Sequence, residues 1–136
     1  MSEASREHLE KVRRSLLALH KALVDSERIT YEATIGPIPS ANQFLQLLIR
    51  DPWFAWLQPL SQLVVSIDEA LDGKEPPTSA MVESALKQAR LLLTPSEEGE
   101  GFARHYIDAL QRDPNVVMEH GEVVKMLGKA KQGMKD

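Results

Sequence analysis

Residues 53–67 read W-F-A-W-L-Q-P-L-S-Q-L-V-V-S-I, a stretch that carries no charge and is entered through Asp51-Pro52. Trp53, Leu57, Leu60, Val64, Ile67 and Leu71 recur at alternating spacings of four and three, which puts them on one side of an α-helix. Trp56 and Leu63 widen that side on one edge, and Phe54 and Val65 add apolar surface on the other. Only Gln58, Gln62, Ser66 and Glu69 remain as a polar strip. A helix apolar round most of its circumference must be covered from several directions. The segment is therefore expected to be the central helix, broken or kinked where Pro59 withholds an amide from the carbonyl of Ala55.

Charge patterning extends this outward. From residue 33 to residue 67 the only ionised side chains are Arg50 and Asp51, although the chain of 136 residues holds 16 basic and 20 acidic ones. So long an uncharged span implies core or interface. Before it, Leu9, Val12, Leu16, Leu19 and Leu23 form a heptad stripe, predicting an amphipathic helix over about 5–28 with one wet face. Ile35-Gly36-Pro37-Ile38-Pro39 must be irregular, because two prolines and a glycine deny it helical continuity.

Start signals then punctuate the chain. Ser40-Ala41-Asn42-Gln43 has the form of a capping box ahead of a short helix that ends at Arg50, since Asp51, the residue before a proline, disfavours the α region. Asp51-Pro52 restarts the chain as N-cap and first helical residue. Thr78 caps a helix over 79–93, and Thr94-Pro95-Ser96-Glu97 predicts another start. Asp113-Pro114 opens the last helix, whose buried side is read as Val116, Val117, His120, Val123, Val124 and Leu127. The expected fold is all-α: a five- or six-helix up-and-down bundle with two Asp-Pro corners, one domain over 1–136, its ends frayed at about 1–4 and 129–136. The corners share a pattern, F-L-Q-L-L-I-R-D-P (residues 44–52) against Y-I-D-A-L-Q-R-D-P (residues 106–114), with Arg50 and Arg112 at helix C-termini where positive charge is favoured.

Composition excludes several chemistries. No cysteine is present, which removes thiol catalysis, thiolate metal sites and disulfides. The polar first residues do not form a secretory signal and no apolar run approaches the roughly 20 residues of a membrane span, so a cytoplasmic location and no membrane partner are expected. A net charge of −4 argues against a dedicated nucleic-acid binder. Phosphate-loop and dinucleotide glycine motifs are missing, as are Glu-x-x-His pairs and His-Glu-x-x-His, so no cofactor, metal or catalytic residue is assigned.

Two functional readings remain. Trp53, Phe54 and Trp56 crowd three large rings after a helix corner, as core or as anchors for a protein partner, self or other. With Arg50 and Arg112 they define a non-catalytic interaction module, possible as a homodimer. The alternative is a bundle that holds a small apolar ligand or a metal, with room for an enzyme, through His120, His20 or His105; of these His120 falls within an apolar helix face. The stretches D-P-W-F-A-W-L, G-F-A-R-H-Y and R-D-P-N-V-V-M-E-H-G resemble a group of small, uncharacterised bacterial proteins. That resemblance covers most of the chain and implies a bacterial, all-helical protein without lending an activity.

Overall fold

A computed structural model describes residues 2–75, 77–96, 98 and 101–135, with backbone only for residues 2, 3 and 129–135. Six α-helices succeed one another: α1 (Ser2–Thr34), α2 (Ala41–Arg50), α3 (Gln58–Asp72), α4 (Ser79–Leu92), α5 (Phe102–Arg112) and α6 (Pro114–Lys135). The described residues contain no strand. The all-α bundle and both Asp-Pro corners stand as expected.

The centre of the bundle is α1. It packs against α3, α4, α5, α6 and the turn that carries the tryptophans. Its heptad stripe is responsible, because Leu9, Val12, Leu16, Leu19 and Leu23 are all fully buried. By contrast α3 is an ordinary amphipathic helix: Leu60, Leu63, Val64, Ile67 and Leu71 face inward, while Val65 is half exposed and Gln58, Gln62, Ser66 and Glu69 face outward. The expectation that residues 53–67 form a helix wrapped on nearly every side is thus corrected. Absence of charge marked one buried face, and the Gln/Ser strip was enough to make the other face wet.

Pro59 breaks the segment. Residues Pro52–Leu57 form a 3-10 turn, and the α-helix begins only at Gln58. Since Pro59 has no N–H for the Ala55 carbonyl, the Gln58 amide takes that acceptor in the tighter three-residue pattern. The turn then matches α1 in pitch: three residues of 3-10 helix and four of α-helix both advance about 6 Å. Running against α1, Trp53 meets Tyr31 edge-on at 5.5 Å between centroids, and Trp56 donates its indole N–H to Glu27 at 3.0 Å.

Other boundaries moved for local reasons. Helix α1 runs six residues past its expected end, Thr34 against about 28, because Tyr31 packs on Trp53 and Phe54 and Glu32 pairs with Arg28 and accepts the Ile38 amide. The start predicted at Thr94 is displaced to Phe102. Thr94 donates its hydroxyl back to the Arg90 carbonyl, and Gly101, at φ 63°, supplies the left-handed residue before α5. Glu97, Gly99 and Glu100 lie outside the described residues. In α6 the stripe is narrower than expected: Val116, Val123 and Leu127 are buried, His120 is half-buried, and Val117 and Val124 face solvent. The backbone of residues 2–4 and 129–135 is helical; of the ends expected to fray at 1–4 and 129–136, residues 1 and 136 lie outside the described residues.

A second regularity on α1 is polar. Arg6, Arg13, His20 and Glu27 recur every seven residues, and each reaches across to the α3 side. Arg6 donates to the Leu71 carbonyl at 2.8 Å, where α3 leaves carbonyls open. Arg13 Nε lies 2.7 Å from Asp68 Oδ1; its N–H does not point along that line, so the contact is charge attraction more than an aligned hydrogen bond. His20 Nε2 lies 2.8 Å from Ser61 Oγ.

Candidate interaction site

Two Arg-Asp-Pro corners position the side chains of interest, and their backbones are alike. The Asp51 amide donates to the Leu47 carbonyl and the Asp113 amide to Ala109, each at 2.9 Å. Each aspartate then accepts, through Oδ1, the amide two residues on: Trp53 at 2.8 Å and Asn115 at 2.9 Å. One residue further, the amides of Phe54 and Val116 return to the Asp51 and Asp113 carbonyls at 3.1 Å, and both side chains are buried. This is what Asp-Pro supplies: an N-cap oxygen beside a residue with no amide to satisfy.

The arginines differ. Arg112 turns inward, donating from Nε to Ser26 Oγ at 3.1 Å and from Nη2 to Glu27 Oε2 at 2.8 Å. Glu27, only 8% exposed at its side chain, accepts from Trp56 with its other oxygen. A buried carboxylate is tolerable there because both oxygens are occupied. Arg50 is exposed and forms no ion pair among the described residues.

The aromatic trio is inside rather than outside. Phe54 is 1% and Trp56 9% exposed; Trp56 is stacked on His105 at 5.1 Å and tilted on Phe102 at 5.3 Å. Trp53 is half-buried, and its indole N–H meets no acceptor among the described residues. As surface anchors Phe54 and Trp56 are therefore ruled out: they are filled into the monomer's own core.

The histidines do not converge. His20 sits with Ser61, His105 against Trp56, and His120 Nδ1 lies 2.5 Å from the hydroxyl of the fully buried Tyr106. Burial depresses the pKa of both His20 and His120, and raises that of Tyr106. Neutral His120 accepts from Tyr106 at Nδ1. Ser61 Oγ lies 2.8 Å from His20 Nε2 and 3.5 Å from the Leu57 carbonyl. Among the described residues no three His, Asp or Glu side chains gather where one metal ion could bind them.

Apolar side chains are left open at the end formed by α1, the 35–39 segment and α2, as they are at Leu91 and Met118. None of the residues of α2 is fully buried. The helix rests on the aromatic turn and, through Phe44, under the Arg28 guanidinium at 4.6 Å. Its Leu45 and Ile49 are 51% and 59% exposed, and Ile35 nearby in the chain is 63% exposed. On another face of α2 runs a groove of about 600 Å³, lined by Gln43, Gln46, Leu47 and Arg50 of α2 and by Ile38 and Pro52. The spacing of Gln43, Gln46, Leu47 and Arg50 is that of one helix stripe.

Sequence reasoning missed this stripe and also Ser26 and Glu27. The signal for the latter was present: the run Leu9, Val12, Leu16, Leu19, Leu23 continues onto Ser26, a polar residue in a core register. For the groove, the signal was a glutamine pair in register with Arg50.

No protein-family model matches the chain, and comparison with curated proteins and with solved structures finds no match. Among the described residues no helix is long and apolar enough to cross a membrane.

Proposed function

We infer that the chain is a non-catalytic protein-contact module that works through its α1–α2 end. The observation that carries this reading is the exposure of Leu45 and Ile49 on α2, and of Ile35 before it, at the end whose helix buries no residue of its own. Apolar side chains left open on such a helix are a common mark of a contact surface. His20, His105 and His120 lie apart, each against its own partner, and among the described residues no three metal-ligating side chains gather, which supports a role without catalysis. A photo-crosslinking residue placed at position 45 or 49 is expected to give a discrete adduct in cells that make the protein, and one placed at Gln62, on the wet face of α3, is expected to give none. An adduct of twice the chain's mass identifies a homodimer. Equal, diffuse labelling from both faces would overturn the reading.

A cleft of about 400 Å³ between α4 and α6 favours a second reading, a bundle that holds a small apolar molecule: Leu93, Pro95, Val124 and Leu127 line it beside His120. An apolar dye that brightens on the native chain and shifts the His120 ring resonances would favour it.

A further inference from the structure

The α1–α2 groove has a chemical preference, and it rests on the reading of this end as a contact surface. We propose that it takes an extended peptide segment in which an aliphatic side chain lies next to a carboxylate, with Arg50 as the carboxylate's partner.

Arg50 is the sole cation in residues 33–67, and the acid beside it, Asp51, is already committed to the Trp53 amide. The second corner demonstrates what an arginine at this position can do: Arg112 takes a carboxylate with Nη2 while Nε serves a hydroxyl. Arg50 has the same helical position and no such acid within the described fold. A guanidinium fork left open beside an apolar wall is suited to a carboxylate that arrives from outside.

The neighbours of Arg50 define the rest of the ligand. Gln43 and Gln46 stand on the same stripe of α2, and side-chain amides offer both a donor and acceptors, as a peptide backbone requires. Gln43 Oε1 accepts the Ser40 hydroxyl at 3.3 Å, which directs its NH2 as the group available to a ligand carbonyl. Leu47, Ile38 and Pro52 form the apolar surface for one aliphatic side chain. A helical partner would present side chains rather than backbone to the two glutamines, so an extended segment is the better match. An α2-on-α2 contact between two copies is disfavoured as the occupant of the groove, because α2 contains no acid to meet Arg50.

A display library of random ten-residue peptides, selected on the full chain, tests this. The expected consensus is Asp or Glu, or a free C-terminus, adjacent to Leu, Ile or Val, with amide shifts in the complex confined to residues 38–52. Arg50→Glu should weaken a selected peptide at least tenfold while leaving the circular dichroism of the chain unchanged and lowering its melting temperature only slightly, as an acid at a helix C-terminus does, and selection on that variant should return Lys or Arg in place of the acid. Peptides without an acid, peptides indifferent to Arg50→Glu, or no enrichment would each overturn the proposal. Crosslinks from positions 45 and 49 that persist after any of these results would leave the contact module standing and remove only its ligand class.

Discussion

The corner at Arg50-Asp51-Pro52 and the corner at Arg112-Asp113-Pro114 use one backbone solution for two purposes. In both, the aspartate caps the helical turn that begins at the proline, and the third residue after the aspartate plugs the core. The arginine decides the rest. Arg112 reaches Ser26 and Glu27 and so ties the α5–α6 hairpin to the last third of α1, whereas Arg50 ends an outlying helix with no buried residue. Local sequence makes a corner; whether the corner is masonry or handle depends on what α1 offers beside it. For the second corner α1 offers a carboxylate. At the first, α1 offers Tyr31 to Trp53 and Phe54, and the Arg50 side chain lines a groove.

Replacing the two arginines should separate the corners most widely. Arg112→Ala strands the Glu27 carboxylate with Trp56 alone and is expected to cost about 2–3 kcal/mol, below the ~3–5 kcal/mol of a fully buried pair because the Arg112 side chain is partly exposed. Arg50→Ala should stay within about 0.5 kcal/mol. Urea unfolding of both variants measures this, and equal losses would erase the distinction.

The aspartates should behave alike. Asp51→Ala and Asp113→Ala each remove one capping oxygen and are expected to cost about 1 kcal/mol apiece by the same assay. A difference larger than the cap itself would mean that the shared geometry hides unequal roles.

The smallest effect concerns acid. Six positions ahead of the arginines stand Phe44 and Tyr106, and only Tyr106 is bonded to a histidine, His120. Because burial lowers the His120 pKa below its ordinary 6.5, the unfolded chain binds the proton more readily than the folded one. Stability from this group is complete above the ordinary value and falls as the pH drops through it toward the folded pKa. His20 has the same sign. The melting temperature should therefore be lower at about pH 5.5 than at about pH 7, and the drop should shrink in His120→Phe. An unchanged slope in that variant would place the sensitivity elsewhere.

The helix ends were the legible part of this fold, because capping is local. Ser40, Asp51 and Thr78 each accept the amide their positions implied. The stripe on α1 was equally plain. What misled was lack of charge: residues 53–67 looked like an axis, yet an uncharged surface can still be wet when glutamine and serine line it. The site was less legible still. Glu27 is joined to Trp56 and Arg112 across distant parts of the chain, and nothing in the spacing around residue 27 announces either partner. Phe54 and Trp56 drew notice by size and turned out to be core filling, with Trp53 half-buried beside them. Arg50, named with Arg112 as a contact candidate, is the one of the two without an ion pair among the described residues.

The guanidinium Nε–H groups report on the two corners directly. Their hydrogen exchange, measured by nitrogen-15 NMR on the native chain, should be slow for Arg112, whose Nε–H is held by Ser26, and as fast as that of a free arginine for Arg50. Matching rates at the two sites, or protection at Arg50, would contradict the division of labour between the corners.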